Sequence, residues 1–179
     1  FKEIMKQGIF YLLFVAFGVR IIYFLMILYL NPSGFREYDS FQYLSIARNL
    51  VEHNSFSQSA IPAISVTATS TPPLIPDPYR TPLYPLFLSF IMLIGGGEKM
   101  AVILQILISV ATTAFGYKIT YMLTKKPCLP CLSAGKPAGR EIPSLVTAAI
   151  MGVDIPSIVY ANLMMTETLF VFVFTLSVY

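Results

Sequence analysis

The sequence predicts an all-α integral membrane protein, a multi-helix transmembrane bundle with juxtamembrane helices in its first outer loop. Three observations carry this expectation. Hydrophobic residues make up 56% of the chain and charged residues only 12%, with a mean hydropathy of +0.71, whereas a soluble domain of this length exposes far more charge. Apolar runs long enough to cross about 30 Å of hydrocarbon recur along the chain. Several Lys and Arg residues sit at the ends of those runs, where they mark membrane orientation. The net charge of +3 therefore gives no reason to expect a nucleic-acid partner.

The elements follow in order. Residues 9–30 are apolar except for Gly18 and Arg20 and form the first span. Residues 31–99 form an outer loop. Within it Phe41, Leu44, Ala47, Leu50 and Val51 recur at helical spacing, which predicts an amphipathic helix over 40–53. The following SQSAIPAISVTATSTPPLIPDP, rich in Ser, Thr, Ala and Pro, reads as an extended loop. The apolar stretch 82–94 has 13 residues before Gly95-Gly96-Gly97, too few to span, and so predicts an interfacial helix. Residues 100–123 form a second span, interrupted by Gln105 and Lys118. A basic loop over 124–142 leads to a third span over 143–163, and 167–179 begins a fourth. That last apolar run has 13 residues and the chain opens on Phe1, so the sequence reads as the N-terminal part of a longer protein with further helices beyond Tyr179. The first apolar run is too long for a cleaved signal, and no small-residue cleavage site follows it.

Charge sets the topology. The basic loop carries Lys125, Lys126, Lys136 and Arg140 against Glu141, and the N-terminus carries Lys2 and Lys6, so both are expected on the cytoplasmic side. That is possible only if 82–94 does not cross. Residues 31–99 and the stretch from Asn162 to Glu167 then share the outer face, where Asp39 and Glu167 are expected to share a pocket.

The candidate residues have competing readings. Glu37 and Asp39, in REYDSFQYL, are either solvated charges that begin a helix or a general base held at the membrane surface. Glu167, in MMTETLF, either stabilises a helix start capped by Thr166 or is a functional acid at membrane depth. Arg20 and Asp154 fall near mid-span, where isolated charges are expensive. A structural ion pair between them is the leading expectation, and contact of Arg20 with a lipid phosphate is the alternative. Arg80, in PDPYRTPLYP, either snorkels to the interface or offers a guanidinium fork to a phosphate. His53, the one histidine, receives no role. Cys128 and Cys131 form a CxxC that is half a zinc site at best, and read as reduced thiols.

Taken in order, EYDSFQYLSIARNL, PDPYRTPLYPLFLSF and DIPSIVYANLMMTETLF resemble the N-terminal part of the polyprenyl-phosphate-sugar-dependent membrane glycosyltransferases of the GT-C fold. The protein mannosyltransferase and aminoarabinose transferase group is the most similar. The resemblance covers nearly all 179 residues. It implies a glycosyltransferase that moves a sugar from a polyprenyl-phosphate donor to a hydroxyl of a protein, lipid or glycan acceptor. It places the enzyme in the prokaryotic cytoplasmic membrane, with its site on the outer face. It further implies that the catalytic carboxylate of the first outer loop is Asp39, with Glu37 beside it, and that Glu167 is the second acidic residue. Those mannosyltransferases usually carry adjacent Asp-Glu where this chain has Glu-Tyr-Asp, which leaves two candidates for the base.

The implied chemistry is an inverting single displacement. Phosphate is already a good leaving group, so one base suffices, and Arg80 and Arg20 are the expected donor-phosphate ligands. Glu167 would orient the acceptor, tune Asp39, or hold a divalent cation together with Asp39; two carboxylates alone do not establish a metal. The competing readings are a transporter or lipid flippase, with Arg20 and Asp154 along a pathway, and a non-enzymatic scaffold subunit.

Overall fold

The computed structural model describes residues 2–59, 74–125 and 142–179. The basic loop between the second and third spans, with Cys128 and Cys131, lies outside the described residues, as does most of the Ser/Thr/Pro-rich loop. The described chain is mostly helical, in the order α1 (Lys2–Leu30), α2 (Tyr38–His53), β1 (Ser57–Ser59), β2 (Leu74–Pro76), α3 (Leu83–Leu93), α4 (Glu98–Lys125), α5 (Ile142–Val153), α6 (Ile155–Asn162) and α7 (Glu167–Val178). Helices α1 and α4 are long and apolar enough to cross a membrane, and α5 with α6 makes a third candidate if that bent pair is one span. Phe10, Phe14, Ile22 and Leu25 of α1 stay exposed, an apolar surface that water would not tolerate over such a length.

Helix α4 packs against α1, α5, α6 and α7. Small residues set the closest approaches. A Cβ at Gly152 would sit 3.4 Å from the Cβ of Ala16, and one at Gly116 would strike the Met151 sulfur. Such positions let helix backbones come together where side chains would hold them apart.

The third span departs from its expected form. A continuous helix over 143–163 is replaced by α5 and α6, bent by 50° at Asp154. The cause is local. Pro156 has no N–H to give the Gly152 carbonyl, and its ring crowds that same carbonyl. Asp154 then serves as N-cap of α6, its Oδ2 accepting from the Ser157 N–H at 2.9 Å.

The expected Arg20–Asp154 ion pair does not form. Arg20 is fully buried and caps the helix break instead. Its Nη1 donates to the carbonyls of Gly152 at 2.9 Å and Ala16 at 3.0 Å. Its Nη2 donates to Ser157 Oγ at 2.9 Å and to the Met151 carbonyl at 3.4 Å. Nε donates to Ser109 Oγ at 3.0 Å. A guanidinium has five N–H donors, and all five are used.

The excursion between α1 and α4 folds as a cap. Helix α2 packs on α3 and ends at Asn54, whose left-handed φ of 52° lets its N–H return to the Asn49 carbonyl. Strands β1 and β2 pair antiparallel, Ser57 opposite Pro76 and Ser59 opposite Leu74. Helix α3 stops at Gly95, with φ of +78°. At Gly96 a Cβ would come within 2.7 Å of the Ile91 side chain, so this reversal into α4 requires glycine. Arg36 clamps the two ends of the cap by a fork onto Glu98, Nε to Oε2 at 2.5 Å and Nη2 to Oε1 at 2.9 Å.

Candidate functional site

The cap and the α6–α7 turn meet at one end of the molecule through two hydrogen bonds, both to Met164. The Ser40 hydroxyl accepts from the Glu37 N–H at 2.8 Å and donates to the Met164 carbonyl at 2.9 Å. The Met164 N–H donates to the Phe35 carbonyl at 3.0 Å. From the other side, Gln105 Nε2 donates to the carbonyls of Leu163 and Met165 at 3.1 and 3.2 Å, while its Oε1 accepts from the Tyr84 hydroxyl at 3.0 Å. One buried amide thus ties α3, α4 and the turn before Glu167 together.

On the cap, Asp39 and Arg80 come together from residues 41 apart in sequence. Arg80 Nη2 donates to Asp39 Oδ1 at 2.9 Å and also to Gln42 Oε1. Nη1 reaches the Tyr43 hydroxyl at 3.4 Å, and the guanidinium carbon lies 5.2 Å from the centre of the Tyr43 ring. Asp39 keeps 37% of its side chain exposed and Arg80 keeps 24%, so the pair remains open to a ligand. The Asp39 carboxylate, as hydrogen-bond acceptor, raises the pKa of Arg80 above its ordinary value against a smaller opposing effect of burial. The Arg80 Nε–H has no partner among the described residues.

Asp77 positions this arginine. Its Oδ1 accepts from the backbone N–H groups of Tyr79 at 2.8 Å and Arg80 at 3.2 Å, and its Oδ2 accepts from the Gln58 amide. Burial pushes the Asp77 carboxyl up, but these hydrogen bonds outweigh it and hold the pKa below the ordinary carboxylate value.

Glu37, the other candidate base, is exposed and occupies the N-cap position of α2. No contact joins it to Arg80. Arg20 has no free N–H for a donor phosphate, because its donors are spent on the helix break.

Glu167 lies elsewhere. It stands in the first turn of α7, after Thr166 at the N-cap position, whose side chain makes no capping bond. It lines a cavity of about 420 Å3 between α4, α5, α6 and α7, together with Asp154, Ser109, Ser157, Thr113 and Tyr160. Asp39 is not among the residues that line that cavity. The Tyr43–Tyr84 pair, edge to face at 5.1 Å, links the two regions, with the Tyr84 hydroxyl within electrostatic reach of Glu167. Among the described residues no three His, Cys, Asp or Glu side chains gather, so the geometry adds no ligand set to the divalent-cation expectation.

Sequence reasoning missed Asp77, Gln42, Tyr43, Tyr84 and Gln105. Asp77 had a readable signal, since Asp before Pro begins turns in which the carboxylate bonds the chain just beyond it. The others lie on helices, where spacing shows the face but not the partner. Comparison of the chain with protein-family models, with curated proteins and with solved structures finds no match in any of the three.

Proposed function

We propose that the chain is part of a membrane glycosyltransferase that uses a polyprenyl-phosphate-linked sugar, with Asp39 as general base and Arg80 as ligand of the donor phosphate. The observation that supports this reading best is the half-open Asp39–Arg80 pair, at 2.9 Å. A base and a phosphate-binding fork stand side by side at the end of an apolar helical assembly. The Asp39 carboxylate takes the proton of an acceptor hydroxyl. The acceptor oxygen attacks the anomeric carbon, the bond to the phosphate oxygen breaks, and its electron pair stays on the phosphate. Arg80 stabilises the growing negative charge, a task for which a guanidinium fork suits a phosphate. Glu167, in its own cavity, makes and breaks no bond in this scheme. The acceptor is a hydroxyl of a protein, lipid or glycan.

The test is transfer of a radiolabelled sugar from a polyprenyl-phosphate donor by the full-length membrane protein. Wild type should transfer, and Asp39→Asn should lose activity by roughly 100-fold or more, as expected for removal of a general base. Unimpaired transfer by a folded Asp39→Asn protein would refute the assignment.

A second reading, a transporter or lipid flippase, draws support from the 50° break between α5 and α6 beside an acid-lined cavity, since interrupted helices mark transport sites in many carriers. Movement of labelled lipid without sugar transfer by the reconstituted protein would favour it.

A further inference from the structure

The guanidinium of Arg80 is held by one face of α2. Asp39, Gln42 and Tyr43 stand three and four residues apart on that helix, which presents them side by side. All three accept from Arg80. Asp39 has its role as base, and Tyr43 is buried under the cation. The Gln42 carboxamide is left without a part in that chemistry. We infer that Gln42 is a second ligand of the donor phosphate, its side-chain N–H groups donating to a phosphate oxygen beside Arg80. The inference rests on the reading of Arg80 as a phosphate ligand and adds a residue to it.

Three observations carry it. First, chemistry fixes which way the amide points. A guanidinium only donates, so the atom that faces Arg80 Nη2 is the Gln42 oxygen. The nitrogen on the same carbon is thereby turned away from Nη2 while it stays next to the guanidinium.

Second, that nitrogen is unspent and open. Gln42 Nε2 has no hydrogen-bond partner among the described residues. It is not one of the buried side-chain atoms left without a partner, which among those residues are Ser144 Oγ, Asn162 Oδ1 and Glu167 Oε2. It therefore reaches the surface of the cap, beside the half-open Asp39–Arg80 pair.

Third, Arg80 needs a second donor beside it. A guanidinium has two planar forks, Nε with Nη2 and Nη1 with Nη2. Both include Nη2, whose two N–H groups go to Asp39 and Gln42. While Arg80 holds Asp39 and Gln42, it meets a phosphate through single N–H groups. The carboxamide supplies a further donor, and it brings no negative charge to oppose the phosphate, as a glutamate there would.

The test uses the full-length protein, isotopically labelled at its glutamine side-chain nitrogens, in a nonionic polyoxyethylene detergent that contains neither phosphate nor sugar. The probes are farnesyl phosphate, farnesol and inorganic phosphate. The Gln42 side-chain NH2 signal, assigned by its loss in Gln42→Glu, should shift saturably with farnesyl phosphate and not with farnesol. Calorimetry should show farnesyl phosphate bound about tenfold more weakly by both Gln42→Glu and Gln42→Met, with farnesol unchanged. Gln42→Glu keeps an oxygen for Arg80 and removes only the N–H donors, while Gln42→Met removes them without adding charge. An NH2 signal unmoved at saturation, or wild-type affinity for farnesyl phosphate in either variant, overturns the role of Gln42 and leaves that of Arg80 standing. Farnesyl phosphate bound no more tightly than farnesol by the wild type overturns the phosphate reading of Arg80 itself, and this inference with it. Inorganic phosphate bound as tightly as farnesyl phosphate supports the two ligands and overturns the lipid-linked donor.

Discussion

Arg20 donates an N–H to the Gly152 carbonyl at 2.9 Å, the very carbonyl that Pro156, four residues on, has no N–H to reach. A charge buried in the apolar helices is thereby explained without a carboxylate partner. The proline opens the helix, and the guanidinium closes the gap from the neighbouring helix.

That account separates two substitutions. Arg20→Met strands acceptors at the break and should destabilise the protein by about 1–3 kcal/mol for each carbonyl left without a donor. Pro156→Ala restores an N–H, so the double variant Arg20→Met/Pro156→Ala should recover part of the loss in detergent unfolding. A double variant no more stable than Arg20→Met would rule the capping account out.

Reversing both charges, Arg20→Asp with Asp154→Arg, should give no rescue over the single variants. An aspartate at position 20 cannot donate to Gly152 or Met151, so restoring opposite charges does not restore the cap. Recovery of thermal stability in the double reversal would reinstate an ion pair.

Arg80→Lys tests the fork on the cap. Lysine keeps the charge but loses the planar geometry that meets Asp39, Gln42 and a phosphate together. The expected outcome is a rise in KM for the polyprenyl-phosphate donor of about tenfold with a smaller change in kcat, measured by steady-state transfer. A kcat loss as large as that of Asp39→Asn, at unchanged KM, would argue that Arg80 is no phosphate ligand.

Asp77 gives a pH dependence with a definite sign. Its folded pKa is depressed below the ordinary 3.8, so its contribution is fully present above the unfolded value and is lost as pH falls through the folded one. NMR titration should show the Tyr79 and Arg80 amide signals shifting together with the Asp77 carboxyl, with a midpoint below 3.8. Asp77→Asn should abolish that titration. An apparent midpoint above the ordinary carboxylate range would show that the hydrogen bonds do not dominate.

Gln105→Leu removes the amide that bridges Tyr84 to the Leu163 and Met165 carbonyls. We expect destabilisation of about 1–3 kcal/mol, from the buried acceptors it strands. Tyr84→Phe should cost less, because it leaves the two carbonyl bonds intact. Equal losses in chemical denaturation would mean the hydroxyl, not the amide, is the anchor.

The sequence made the coarse fold legible where composition and length decide. The runs now seen as α1 and α4 are read from hydropathy alone, and the 13 residues before Gly95 are too few to cross. The Asp154 break is written in the residues too, as an Asp two positions before a Pro. Hydropathy averages over such a pair, so the run read as continuous. Asp39 and Arg80 were each visible as candidates, but their contact depends on the Asp77 turn and the packing of α2 on α3. Glu167 shows the limit of a topological argument. Sharing an end of the helices does not decide which side chains line a cavity with it: these include Ser109, Asp154, Ser157 and Tyr160, and not Asp39.

The pairing of Ser59 with Leu74 brings the ends of the stretch 60–73 back to neighbouring positions in a two-stranded sheet. Sequence added between two paired strand ends is closed off by that pairing, so it changes the closure entropy and not the pairing itself. Doubling such a loop costs only about 0.6 kcal/mol in closure entropy. This is therefore a point at which the protein can accept inserted sequence, a tag or a reporter while the geometry of Asp39 and Arg80 is preserved.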